Sequence, residues 1–197
     1  MRRKQCQVTT GEVIEEILGR ARIGRLATIG EDGFPYITPV NFVWWNDSIY
    51  FHCAREGEKI DNITRNNRVC FEIDIPLSYL GVGYDENRPT CHVHQFYHCV
   101  IIRGRAQFVD DIEEKVASLN ALVSVHENGG PFTPLQEDTR EVGLCTVVAV
   151  RVDSLSAKSD LGQKMSKEHR LQVASYLRER GLSGDMETAR LMGENDG

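Results

Sequence analysis

Residues 24–74 read GRLATIGEDGFPYITPVNFVWWNDSIYFHCAREGEKIDNITRNNRVCFEID. Here the β-branched and aromatic residues gather into the short runs LATI, YITPVNFVWW, SIYFHCA and VCFEIDI, the last ending one residue on at Ile75, with turn chemistry at Glu31-Asp32-Gly33 and Asn46-Asp47. Short runs of that composition, split by Asp-Gly and Asn-Asp pairs, predict an antiparallel meander. The segment 57–66, GEKIDNITRN, spaces Ile60 and Ile63 as a helix does and is too polar for a central strand. It predicts a short helix crossing between strands.

Upstream, Thr9 and Glu12 match a capping box, and Val13, Ile14, Ile17, Leu18 and Ala21 recur on one helical face up to Gly24. Downstream, the stretch 76–89 carries Pro and Gly and reads as a loop. CHVHQFYHCVIIRGRAQFVD, 91–110, follows as a strand pair broken near Arg103-Gly104. A helix capped by Asp110 or Asp111 then turns Val116, Leu119, Leu122 and Val123 inward. After the turn-rich NGGPFTP comes a last strand, GLCTVVAVRVDSL, and from residue 161 the chain is charged and helix-prone, its last few residues expected to be disordered.

Six or seven antiparallel strands with helices inserted between them predict a closed or partly closed β-barrel of the α+β class. The pattern leaves an OB-fold, a lipocalin relative and a flavin barrel open. A barrel domain over 1–160 and a helical, partly flexible extension over 161–197 are the expected organisation.

Composition narrows the function. With 197 residues, 41% apolar and 26% charged, the chain can bury a core without disulfides or a structural metal. A net charge of −6 and a pI near 5.5 give no broad footprint for nucleic acid. The basic start Arg2-Arg3-Lys4 reads as a frayed, solvated terminus. The following polar Gln5–Thr10 gives no apolar core of a signal peptide, and no run approaches a membrane span, so a cytoplasmic protein is expected. Six cysteines, at 6, 53, 70, 91, 99 and 145, form no CxxC pair and read as reduced, mostly buried residues.

Two clusters carry candidate chemistry. Lys59 falls in the first turn of the helix after Gly57, beside backbone N–H groups without intrahelical partners, and that combination suits a phosphate; a solvated surface lysine is the plain alternative. On a straight strand His92, His94 and His98 share one face and Cys91 and Cys99 the other. His92 and His94 would then lie about 6–7 Å apart, within reach of one metal or a haem, but His98 is too far along the strand to join them. With no acidic partner evident, a solvent-facing polar strand is expected and no metal is assigned. Trp44 and Trp45, consecutive in a strand, should face opposite ways, one in the core and the other exposed or at a dimer contact.

The ordered set L-A-T, D-G-x-P, P-V, Y-F-H and G-x-K-x-x-N within 24–74 resembles the pyridoxamine 5′-phosphate oxidase-like FMN-binding family, most closely its nitroimidazole-resistance-type branch. The likeness continues more weakly through YHCVIIRGRA, 97–106, and the helix bearing Glu114-Lys115. It implies a six-stranded antiparallel split β-barrel with peripheral helices, and a homodimer binding FMN at the subunit interface. Carried over by position, Pro39, Val40 and Asn41 would line the flavin, His52 and Cys53 would contact the ribityl chain or phosphate, and Lys59 would hold the phosphate. Arg105 would approach from the other half of the site.

In the nitroimidazole-resistance-type relatives a histidine at this strand end lies beside the flavin and is thought to take part in the reaction, which makes His52 the candidate catalytic residue; a polar strand-end histidine hydrogen-bonded to backbone is the plain alternative. True pyridoxamine phosphate oxidases carry Ser-Arg-Lys where this chain has Gly57-Glu58-Lys59, together with a basic C-terminal segment that has no match here. Vitamin B6 oxidation is therefore not expected. Two functions follow from the resemblance: an FMN-dependent oxidoreductase passing electrons from a reduced nicotinamide to a small organic acceptor, a nitroaromatic among the candidates, or a non-catalytic flavin, deazaflavin F420 or haem-binding protein for storage or sensing.

Overall fold

The computed structural model describes residues 3–87 and 89–194, so Arg2 and the last three residues lie outside the described residues. In chain order the strands and helices are β1 (Gln7–Val8), α1 (Gly11–Arg20), β2 (Ile23–Ile29), β3 (Pro35–Asn41), β4 (Val43–Trp45), β5 (Ser48–Cys53) and α2 (Glu58–Arg65). They continue with β6 (Arg68–Leu80), β7 (His94–Phe108), α3 (Ile112–His126), α4 (Arg140–Leu144), β8 (Thr146–Asp160), α5 (Lys167–Arg180) and α6 (Asp185–Glu194). Helices inserted between antiparallel strands make the fold α+β, as expected. The chain divides into two compact units, one of Gly11–Ile73 and Val100–Ser156, the other of Met1–Thr10, Asp74–Cys99 and Ala157–Gly197.

The strand order is β3-β2-β6-β7-β8-β5-β4, with β1 paired to β8. Eight strands therefore stand, among the described residues, where six were expected. Two of the additions are the two-residue β1 and the three-residue β4, which the run YITPVNFVWW hides. Phe42 splits that run: it is fully buried, packs edge-on against Phe71 at 5.3 Å, and breaks the alternation of β3 before β4 begins. β4 and β5 then form a two-residue hairpin, Trp45 opposite Ser48, with Asn46 and Asp47 both at positive φ as such a turn requires.

In the first unit, β2 pairs with β3 in register Leu26 to Thr38 and with β6 in register Leu26 to Phe71. α2 is pinned beneath β2 by Asn62, whose Nδ2 donates to Thr28 Oγ1 at 3.0 Å and whose Oδ1 accepts from Arg65 at 2.7 Å. β7 runs unbroken through Gly104. A Cβ there would stand 2.2 Å from the Arg151 carbonyl oxygen, so glycine serves the close approach of a neighbouring strand rather than a break. α3, capped by Asp111 accepting from the Glu114 N–H at 2.7 Å, packs its buried Leu119 and Leu122 against Tyr50, Val147 and Ala149. Tyr50 donates to Glu114 Oε1 at 2.6 Å, and Arg151 donates to the same oxygen at 2.6 Å. Burial raises the Tyr50 pKa and the bond to Glu114 adds to it, so the phenol stays a donor.

Three expectations fail here for identifiable reasons. Val13 is exposed, leaving Ile17 and Leu18 as the buried residues of α1. Residues 143–145 do not begin the last strand; α4 takes 140–144, with Val142 buried. Lys115 Nζ donates to the Cys145 carbonyl at 2.8 Å and holds that junction. Trp44 and Trp45 are both half-buried, and Trp45 packs with the Leu119–Leu122 cluster while its ring lies 5.3 Å from Tyr50.

In the second unit β6 continues through Pro76 to Leu80, where a loop was expected. Leu77 and Leu80 are buried among residues of α5 and α6, and Gln95 Nε2 donates to the carbonyls of Leu77 and Ser78 at 3.0 and 3.3 Å. Burial of two leucines outweighs the proline's lost N–H. Arg3 is not a frayed end: its guanidinium pairs with Asp160 at 3.0 Å. β7 begins only at His94, because Thr90–His92 is a 3₁₀ turn. His94 Nε2 lies 3.1 Å from Asp160 Oδ1, and His98 Nδ1 lies 2.8 Å from Ser159 Oγ. An acidic partner thus exists, and among the described residues no cluster of three His, Cys, Asp or Glu is placed to hold a metal. No helix among the described residues is long and apolar enough to cross a membrane.

Candidate functional site

β5 is buried on both faces from Ser48 to Phe51 and emerges at His52, which stands opposite Val147. His52 and Cys53 therefore reach a cavity of about 650 Å³ at the strand's end, within the range that small-molecule sites occupy. One wall is the end of β3, with Pro39, Val40 and Asn41. Lys59 of α2 reaches it from the helix start, and Glu141, Leu144 and Cys145 close it from α4 and the residue beyond.

The anion end of the cavity is built locally. Gly57 is the N-cap of α2 at φ 127 and ψ 162, a conformation glycine alone adopts readily, and no side chain caps the helix. The Gly57 carbonyl accepts from Ile60 and Asp61, while the N–H groups of Glu58 and Lys59 precede the helix's own hydrogen-bonding. Lys59 is half-buried and makes no hydrogen bond or ion pair among the described residues. A half-buried unpaired ammonium beside an uncapped helix start fits a phosphate. With the apolar and backbone edge of β3 opposite, the donor set fits a flavin mononucleotide.

Electrostatics within the site are modest. Burial pushes the Cys53 thiol above its ordinary pKa, and the Lys59 ammonium partly offsets that rise. At neutral pH Cys53 is a protonated lining residue rather than a nucleophile. Arg55 donates to the Gly143 carbonyl and so joins the β5–α2 loop to α4.

Six of the seven residues singled out in the sequence, Pro39, Val40, Asn41, His52, Cys53 and Lys59, come together at this cavity. Arg105 is outside its lining and pairs with Asp153 at 3.5 Å. Glu141, Leu144 and Cys145 were missed. The available signal was Thr139 before Arg-Glu-Val, a helix-start pattern that the strand-like GLCTVV obscured.

A second cavity, of about 230 Å³, shares His52, Glu141 and Cys145 with the first. Its remaining lining is apolar and belongs to α3, Leu135 and Val142.

A profile of the pyridoxamine 5′-phosphate oxidase family matches residues 10–159. Among solved structures, a candidate 5-nitroimidazole antibiotic resistance protein from Bacteroides thetaiotaomicron is 26% identical, with 77% of this chain and 85% of that one covered at a TM-score of 0.65. The flavocytochrome Anf3 of Azotobacter vinelandii is 17% identical, with 86% and 76% covered at 0.68. The FAD and heme binding protein of Mycobacterium smegmatis is 17% identical, with 83% and 78% covered at 0.68. The last two likenesses are of fold, an antiparallel split barrel with peripheral helices. No curated protein matches.

Proposed function

Because the chain belongs to the pyridoxamine 5′-phosphate oxidase family, we propose that the cavity between β3, β5, α2 and α4 binds FMN and that the protein is a flavin-dependent oxidoreductase. The carrying observation is the half-buried, unpaired Lys59 at the uncapped start of α2, in one cavity with Pro39, Val40, Asn41, His52 and Cys53. The flavocytochrome and the FAD and heme binding protein of the same fold support a flavin in general terms.

In this reading Lys59 and the α2 N–H groups hold the phosphate by charge and hydrogen bonding. Pro39 and Val40 give the ring an apolar edge that excludes water, and the exposed amide of Asn41 offers hydrogen bonds to its polar rim. Cys53 packs as a neutral thiol. Bound there, FMN would supply two-electron transfer from a reduced nicotinamide to a small organic acceptor. His52, exposed at the mouth and without a hydrogen bond among the described residues, is free to turn toward an acceptor and donate a proton to it.

The protein acts as a homodimer in this account, with Arg105 of a second copy completing the site from outside the cavity described above. Glu58 in place of a second phosphate cation argues against pyridoxamine phosphate as substrate. An absorbance spectrum of the purified protein, followed by anaerobic addition of NADH or NADPH, tests the proposal. A flavin spectrum that bleaches supports it, a flavin that stays oxidised identifies a passive binder, and a protein that takes up no added flavin overturns it.

A further inference from the structure

The 230 Å³ cavity is the continuation of a core rather than part of the phosphate-binding groove. Alternation along β5 puts His52 on the same face as Tyr50, and Tyr50 belongs to the cluster of Leu119, Leu122 and Val142. The cluster closes over most of its length, but at the His52 end Leu119, Leu122, Val123, Leu135 and Val142 stand around a space instead of meeting.

Its walls are held in place. Leu135 lies in a segment without regular structure, yet both its backbone groups are tied to Asn120 of α3, its carbonyl accepting from Nδ2 at 3.1 Å and its N–H donating to Oδ1 at 2.8 Å. The Lys115 bond to the Cys145 carbonyl fixes the opposite wall. A void between fixed apolar walls is not removed by a small side-chain shift.

We infer that this chamber seats a small, neutral and largely apolar molecule with its one polar edge at His52. Three features set the class. The volume admits about a dozen heavy atoms and no nucleotide, at roughly 20 Å³ per atom in a close-packed site. The five apolar side chains offer no hydrogen bond, so the molecule must be apolar on all but one edge. Glu141, exposed at the mouth and without a hydrogen bond or ion pair among the described residues, opposes an anion entering. That this molecule is the electron acceptor rests on the flavin reading above; that the chamber binds it does not.

The two tryptophans of the chain provide the test, since Trp45 packs with the cluster that forms the chamber walls. In the Trp44→Phe protein, Trp45 fluorescence is titrated with duroquinone, a neutral quinone whose full substitution prevents addition to thiols. Saturable quenching is expected, weakened at least about tenfold by Val123→Phe, which fills the chamber from its half-buried rim. Glu141→Gln should leave duroquinone binding in place and let 4-nitrobenzoate compete where it does not compete in the parent. Val123→Phe must show the parent's far-ultraviolet circular dichroism, and Val123→Ile, a smaller intrusion, gives an intermediate weakening. Quenching that does not saturate, or that Val123→Phe and Val123→Ile leave unchanged, overturns the inference. FMN uptake measured on the same samples reports separately on the flavin reading: uptake without saturable quenching sinks the chamber alone, and saturable quenching without uptake sinks the flavin alone.

Discussion

Lys59 and Cys53 face one cavity, and the ammonium of the first draws down a thiol pKa that burial has raised in the second. Cys53 is therefore a built-in reporter of the charge at the proposed phosphate site. In Lys59→Gln the offset is lost and burial acts alone, so the Cys53 pKa rises further and its thiolate fraction falls. We expect slower alkylation of Cys53 by iodoacetamide, followed by mass spectrometry at fixed pH near 8. An unchanged rate would show that the two side chains do not share the site.

His52 stands at the junction of the two cavities. His52→Gln keeps a hydrogen-bonding side chain but removes the imidazole as a proton donor. We expect FMN affinity to change little and turnover to fall on the order of 10²-fold. Unchanged turnover would remove His52 from the chemistry.

In the unit containing α5 and α6, fully buried Asp185 accepts from Arg180 Nη2 at 2.7 Å and from Ser78 Oγ at 2.6 Å. The Arg180 bonds, against the cost of burial, hold its pKa down to about 2 from an ordinary 3.8. A depressed carboxylate stabilises the fold above its unfolded pKa and loses that contribution as pH falls through the folded one. Urea melts between pH 5 and 2 should show on the order of 2 kcal/mol lost over that range, and Asp185→Asn should flatten that loss. A parent and variant with parallel pH curves would contradict the assignment.

Gly104 is expected to tolerate no side chain. With the Arg151 carbonyl oxygen 2.2 Å from where a Cβ would stand, Gly104→Ala should cost about 1–3 kcal/mol through strand displacement. The denaturation midpoint measures it; a midpoint equal to the parent's would mean that the two strands part freely.

The meander from β2 to β5 and the helix α2 were legible because their turns are local chemistry. Asn and Asp tolerate the positive φ this turn needs, so Asn46-Asp47 forms it from local chemistry, and Ile60 and Ile63 mark a helix without outside help. Elements decided by distant partners were not. Pro76 reads as a strand end, but Leu77 and Leu80 dock on residues more than eighty positions away and carry β6 onward. Gly143-Leu144-Cys145 reads as strand, but buried Val142 and the Lys115 bond to Cys145 impose a helix and turn there. The site divides along the same line. Its β3, β5 and α2 residues belong to the legible meander, while Glu141, Leu144 and Cys145 reach it through α4, and the apolar chamber is made by Leu135 and α3, brought together only in the folded chain.

The cavity at the end of β5 is the centre of the proposed function, and equilibrium titration of the protein, freed of any bound flavin, with FMN tests it most directly, using the loss of flavin fluorescence as the signal. We expect one FMN per chain to bind saturably, with Lys59→Gln weakening it at least about tenfold while riboflavin, which lacks the phosphate, binds parent and variant alike. No saturable binding of FMN, or binding that Lys59→Gln leaves untouched, would contradict the placement of the flavin.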